Sequence, residues 1–253
     1  MKKNPSNSLE CAWNCRKSVV VLSPHLDDAA LSVGASMASL VESGTRVTVL
    51  TLFAGCPKAR TKLVSETLSL WKVDTYEARR EEDVCAMSIL GCDHIHCDHP
   101  EALFRHASAG SIEEVIASDC RCQACKTVAA KLVGELPVLL SVLDPALMLL
   151  PAGDGFHIDH EITSKAGRAA AQEMKLEVLS YEELPYACKS SPLRPGRQGF
   201  TERHMWRKLR AVEEYRSQIP SLEYAFGKIP SLLQERAAFL ATPAEQFAEL
   251  VSR

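Results

Sequence analysis

Apolar positions along this chain come in short unbroken runs, without the alternation of a half-exposed strand. "SVVVLS" (18–23), "RVTVLTLF" (46–53) and "ALMLLPA" (146–152) each predict a strand buried on both faces. Between and beyond them the spacing turns helical. "DAALSVGASMASLVESG" (28–44) predicts a helix closed by Gly44, and "TYEARREEDVCAMSILG" (75–91) an amphipathic helix closed by Gly91. "HIHCD" predicts a short strand and "TVAAKLVGELPVLLSVL" (127–143) a helix broken near Pro137. A helix from about His157 to Met174, the strand "EVLSYEE" and a run of helices over about 205–253 complete the pattern. Buried strands alternating with helices predict an α/β fold, a Rossmann-like three-layer sandwich around a mainly parallel sheet.

Two segments interrupt the alternation: 98–126, rich in Cys and His, and 189–203, which reads as an exposed loop. Neither is long enough for a domain. The expectation is one domain over 1–253, with a core at about 18–220 and a Cys/His-rich insertion.

Composition narrows the function. With 29 basic and 32 acidic residues, a net charge of -3 and no block of like charge, the chain has nothing that would track a nucleic acid backbone. No apolar run approaches the ~20 residues that span a bilayer, and the N-terminus has no signal-peptide h-region, so a soluble cytoplasmic protein with no membrane partner is expected. No G-x-G-x-x-G follows the first strand, which argues against a dinucleotide. The ten cysteines read as reduced thiols, some of them candidate metal ligands, more than as a disulfide framework.

Ligands of such sheets sit beyond the carboxyl ends of the strands, where "SPHLDD" and "PAGDGFHIDH" fall. Anionic carboxylates at that place suit a metal. His25 and Asp28 are three apart at a strand-to-helix turn, and His157 and His160 share a helix face. His25, Asp28 and His160 would make a three-ligand zinc set with a fourth position for water, leaving Asp27 and His157 as acid/base machinery. Taken singly, each motif would be a solvated turn or a helix cap; both together, at the ends of strands in one sheet, favour the metal site.

These residues carry a resemblance. "PHLDD" followed by "HIDH", with "RREEDVCAMSILG" (Arg79, Glu82, Ala86, Leu90, Gly91), "PEALFR", "YEELPY" and "KLRAVEEYRSQ" (Lys208, Gln218), resembles the zinc-dependent N-deacetylases of the LmbE-like, or PIG-L, family. The resemblance implies one catalytic Zn2+ on His25, Asp28 and His160, with Asp27 as general base. It implies His157, protonated, as oxyanion donor, Asp159 as the acid that orients His157, and Arg79 and Glu101 as contacts to substrate hydroxyls. Arg79 could equally be half of a surface ion pair on its helix. Leu26 departs from the family's usual proline, a change expected to affect only the turn, and Ala29 from its glutamate. Gly155 and Phe156 stand where some members have a tyrosine.

The implied reaction is hydrolysis of an N-acetyl group from an acetylated amino sugar, a small-molecule partner, in glycoconjugate or natural-product biosynthesis. An amidase acting on a non-sugar acylamine and a non-catalytic sugar-binding module are the alternatives, and homo-oligomer formation is left open. A second, structural zinc could be held by Cys97, Cys120, Cys122 and Cys125; otherwise Cys92 and Cys97 pack in a strand and the three later thiols sit in a flexible loop. Cys11, Cys15, Cys56, Cys85 and Cys188 read as isolated thiols, mostly core.

Overall fold

A computed structural model describes residues 18–55, 61–70, 76–106, 109–111, 114–115, 122–154, 157–189, 196–242 and 245–252. The strands are β1 (Ser18–Ser23), β2 (Arg46–Thr51), β3 (Asp93–His96), β4 (Leu147–Pro151), β5 (Val178–Tyr181), β6 (Arg197–Phe200) and β7 (Phe247–Ser252), joined in one sheet of order β3-β2-β1-β4-β5-β7-β6. β1 to β5 pair in parallel, and β7 runs antiparallel to both β5 and β6. The sheet is therefore α/β and mostly parallel, as its unbroken apolar strands require.

Successive residues of one strand feed opposite cores. Val19 and Val21 of β1 pack with Leu147 and Leu149 of β4 in the core on one face, while Val20 and Leu22 pack with Met148 and Leu150 on the other. The first face is covered by α1 (Asp28–Glu42), α3 (Tyr76–Leu90), α7 (Glu202–Val212) and α9 (Ile229–Leu240). The second is covered by α2 (Lys62–Leu70), α5 (Gln123–Leu143) and α6 (Ile158–Met174). α4 (Ala102–Arg105) and α8 (Ile219–Phe226) lie near the carboxyl ends of the strands, where both contribute to the same cavity. Among the described residues no helix is long and apolar enough to cross a membrane.

Strand order decides where the site can form. From β1 the chain builds outward to β2 and β3, then returns to the other side of β1 to add β4 and β5. The loops leaving β1 and β4 consequently diverge and open a crevice at this switch point. Residues 24–28 and 157–160 meet there. α6 reaches the crevice closely because Gly167 lies against the sheet: a Cβ there would stand 2.7 Å from Leu22 Cδ1.

Several expectations are corrected. Pro137 does not break its helix, since α5 runs unbroken through it. Val128, Leu132, Leu136 and Leu140 form one buried stripe, and Val133, whose carbonyl loses its partner at the proline, is 44% exposed and open to water. The expected loop 189–203 contains β6, and the expected helical tail begins at Glu202 and ends in β7. β7 is drawn in by Glu249, whose carboxylate is buried against Lys208 Nζ at 2.6 Å. It also accepts the N–H groups of Ala35 and Ser36, where Val33 breaks the helical geometry of α1. Cys85 is exposed, while Cys11, Cys15 and Cys56 lie outside the described residues.

Candidate active site

The turn after β1 is held by its own side chains. Ser23 Oγ donates to the His25 carbonyl and accepts the Ala29 N–H, and Asp28 Oδ2 accepts the His25 N–H at 2.9 Å. These bonds direct His25 and Asp28 toward one point. α6 opens beside them: His157 is its N-cap, with Nδ1 accepting the Asp159 N–H at 3.0 Å, and His160 sits one turn on.

Three donor atoms converge. Asp28 Oδ2 lies 3.1 Å from His25 Nδ1 and 3.2 Å from His160 Nε2, and the two nitrogens are 3.4 Å apart. A tetrahedral metal with bonds of about 2.0–2.1 Å sets its ligands roughly 3.3–3.4 Å from one another, so the triangle fits zinc in size and in donor type. The ring nitrogens of His25, His157 and His160 also gather within 4.8 Å. That set is looser, and His157 Nδ1 is committed to capping α6.

The outward nitrogen of each donor histidine is bound by a carboxylate. His25 Nε2 meets Asp159 Oδ2 at 3.1 Å, and His160 Nδ1 meets Glu183 Oε1 at 3.0 Å. Such pairs fix the tautomer and aim the other nitrogen's lone pair inward, as metal-binding histidines require. The side chain of Asp159 therefore hydrogen-bonds His25, where His157 was expected; its backbone N–H donates to His157 Nδ1. Asp159 is itself held by the Ala102 N–H at 2.8 Å and by Arg105 at 2.5 Å. Neither Glu183 nor Arg105 was singled out from sequence. Their only local signal is a charge just beyond a strand, in "SYEE", and one in "PEALFR".

Electrostatics separates the two adjacent aspartates. Burial would raise the Asp28 carboxyl, but His160 and His25 hold it well below the usual carboxylate range. Asp27 is less well compensated: burial and the neighbouring Asp28 charge push it up to about 6 against the opposing charges of Arg79 and His25. Burial alone would lower both donor imidazoles. Asp159 and Asp28 hold His25 well above its usual value, and Asp28 and Glu183 bring His160 to about 9. His157 is driven the other way by burial and by the His25 charge. It is neutral, and with Nδ1 accepting, its proton sits on Nε2. These influences disfavour the protonated His157 expected from sequence and leave an N–H donor on Nε2.

Above this floor opens a cavity of about 440 Å³ lined by His25, Asp27, Asp28, Arg79, Glu101 and His157, with Tyr186, Leu222 and Phe226 among its apolar walls. Arg79 is no surface residue. It is 3% exposed and pairs with Glu101 Oε1 at 3.0 Å across the cavity wall. Glu82, one turn along the same helix, accepts the N–H and hydroxyl of Ser217 and so anchors the loop that brings Gln218 to the cavity. Gly155 and Phe156 lie outside the described residues; Tyr186 lines the cavity, its ring centroid 5.7 Å from that of His160. Of the four residues expected at a second metal, Cys122 and Cys125 come together, joined by His106. Cys97 packs in the second core, its N–H on the Thr51 carbonyl, and Cys120 lies outside the described residues.

A metal-sized cradle beside a separate buried carboxylate, at the switch point of a parallel sheet, is a hydrolase type of centre. The comparisons with known proteins agree. The PIG-L family profile, described as GlcNAc-PI de-N-acetylase, matches residues 20–171, and the chain belongs to that family. The 2'-N-acetylparomamine deacetylase of Niallia circulans is 24% identical over 192 residues, 68% of each chain. Among solved structures, the zinc-inhibited form of teicoplanin deacetylase Orf2 superposes with a TM-score of 0.79 at 25% identity, covering 93% of this chain and 97% of its own. The A40926 pseudoaglycone deacetylase Dbv21 gives 0.79 at 27% identity, with 94% and 96% covered.

Proposed function

We propose that this protein is a zinc-dependent deacetylase that hydrolyses the N-acetyl group of an acetylated amino sugar or its conjugate. The observation that carries the proposal is the donor triangle of His25, Asp28 and His160, with edges of 3.1–3.4 Å, beneath a cavity into which Asp27 also opens. The relatives named as deacetylases of 2'-N-acetylparomamine, teicoplanin and A40926 pseudoaglycone support the sugar class.

Zinc, when bound there, would act as a Lewis acid that lowers the pKa of water to about 7. The chain's own groups do the rest. Asp27, poised near neutrality, takes the proton of the attacking water and delivers it to the amine as the C–N bond breaks, so acetate and a free amine leave. His157 donates Nε2–H to the amide oxygen as it gains charge, a contribution of roughly 3 kcal/mol. A neutral donor serves here because its pKa is held down by burial. Asp159 and Glu183 keep the two ligand imidazoles in register, and Arg79 with Glu101 offers a donor and acceptor pair to a sugar hydroxyl.

The alternative of a non-sugar acylamine draws on the apolar wall formed by Leu222 and Phe226. Both readings are tested by following amine release from N-acetylated amino sugars and from N-acylated alkylamines. The sugar substrates should be hydrolysed faster, and release should stop on chelation. Asp27→Asn should keep its metal and lose ~10²–10⁴ in kcat. An Asp27→Asn enzyme with full turnover would remove Asp27 from the mechanism.

A further inference from the structure

The cysteine-rich segment forms a second cluster that the hydrolytic centre does not use. His106 follows α4, and Cys122 is the N-cap of α5, its Sγ accepting the Cys125 N–H at 3.4 Å. Cys125 is buried, with Sγ 3.3 Å from His106 Nε2 and 3.4 Å from Arg105 Nη2. The donor atoms of His106, Cys122 and Cys125 all lie within 4.8 Å of one another.

We propose that His106, Cys122 and Cys125 bind a second divalent cation of the zinc class, which clamps α4 and through it one wall of the substrate cavity. The donor set is soft: two thiols and one imidazole suit zinc and exclude magnesium or calcium. In a tetrahedral site with bonds of about 2.3 Å to sulfur and 2.0–2.1 Å to nitrogen, sulfur and nitrogen stand about 3.5 Å apart. Cys125 and His106 are already near that spacing. The Cys122 sulfur already takes a backbone N–H at the cap of a 21-residue helix, and the Arg105 guanidinium donates to the Cys125 sulfur, so each sulfur faces a donor suited to a ligating thiolate. Binding would release the two thiol protons, and two thiolates would balance the dication beside a neutral imidazole.

The placement gives the metal a purpose. Arg105 donates to Cys125 on one side and to Asp159 on the other, and the N–H of Ala102 at the start of the same helix also donates to Asp159. Asp159 in turn aims His25. Glu101 and Leu103, at the opening of α4, line the cavity. A cation joining His106 to the first turn of α5 would therefore hold both a wall of the cavity and the support of a ligand histidine.

The test uses full-length protein, stripped with a chelator under reductant and reloaded with Co2+ or Zn2+. Metal per chain is read by plasma mass spectrometry, and thiolate ligation by the sulfur-to-cobalt charge-transfer band. Wild type should take up about two equivalents and show the band; Cys122→Ser/Cys125→Ser should take up about one and lack it; His160→Ala should take up about one and keep it. The proposal is overturned if wild-type protein shows no such band, or if the double variant keeps both band and stoichiometry. It is also overturned if thiol counting finds Cys122 and Cys125 joined as a disulfide whose reduction admits no second cation. A single wild-type equivalent that His160→Ala removes overturns this site and leaves the deacetylase reading standing. A single equivalent that only the cysteine variant removes supports this site and counts against the hydrolytic centre. The wild-type spectrum needs no variant to fold.

Discussion

Stripped of metal, the protein should lose stability as the pH rises from 7 to 9. His160 is 1% exposed, and its imidazolium is held by Asp28 at 3.2 Å and Glu183 at 3.0 Å, which set its folded pKa near 9 against an ordinary 6.5. The folded state then keeps a proton that the unfolded chain has released. Its stabilisation is complete below pH 6.5 and disappears as the pH climbs through about 9. Between pH 7 and 9 this amounts to about 2 kcal/mol for His160 alone, or about 4–8 °C in Tm for a chain of this size. His25, also raised by carboxylates, adds to the fall. His157 and His106, both lowered, oppose this slope weakly near pH 7, where the unfolded imidazoles still carry some proton, and add nothing toward pH 9. The assay is thermal unfolding in chelator at constant ionic strength, beside zinc-loaded protein and His160→Gln. Zinc requires deprotonated ligands, so the loaded protein should lose the slope or reverse it, and His160→Gln should flatten it. A metal-free Tm that is constant or rising over the same range refutes the charge arrangement assigned to the cradle.

Three further outcomes follow from single contacts. Glu183→Gln replaces the charged acceptor for His160 Nδ1 with a neutral amide oxygen and should weaken zinc affinity 10–100-fold in chelator competition, with little change in fold; unaltered affinity would take the Glu183 charge out of the site. Glu82→Ala frees Ser217 and the loop bearing Gln218, and should raise KM while leaving metal content as it is. Lys208→Met strands the buried Glu249 and should cost about 3–5 kcal/mol in urea unfolding, with partial recovery in Lys208→Met/Glu249→Gln; an unchanged midpoint would contradict the pinning of α1 by this pair.

The parallel centre of the sheet is legible because β1, β2 and β4 are buried on both faces and must be apolar at nearly every position. β6 and β7 are not. "RQGF" and "FAELVS" have neither continuous apolarity nor clean alternation, and Glu249 is tolerated inside because Lys208, 41 residues away, neutralises it and two N–H groups of α1 bind it. The site divides in the same way. His25, Asp27, Asp28, His157 and His160 stand in two compact motifs whose spacing carries the chemistry. Glu183 and Arg105 act on those residues from other turns, and Asp159 changes partner because Arg105 and Ala102 hold its carboxylate toward His25. Such pairings depend on which loops the strand order brings together, which no local spacing records.

Leu26 shows how a departure from the family pattern is absorbed. Between two residues that face the cavity, its side chain turns inward, 1% exposed, and packs with Ala54 and Tyr76. Tyr76 donates its hydroxyl to the Phe53 carbonyl, and its ring lies 4.9 Å beneath the Arg79 guanidinium. The leucine thus does more than alter the turn. It fills the space below the aromatic ring that supports Arg79, and Arg79 in turn meets Glu101 and helps hold down the pKa of Asp27 against burial and the charge of Asp28. In this chain one apolar residue within "PHLDD" links the turn that aims the donor triangle to the cation at the other end of the cavity, so the spacing between floor and wall is set by packing as much as by charge.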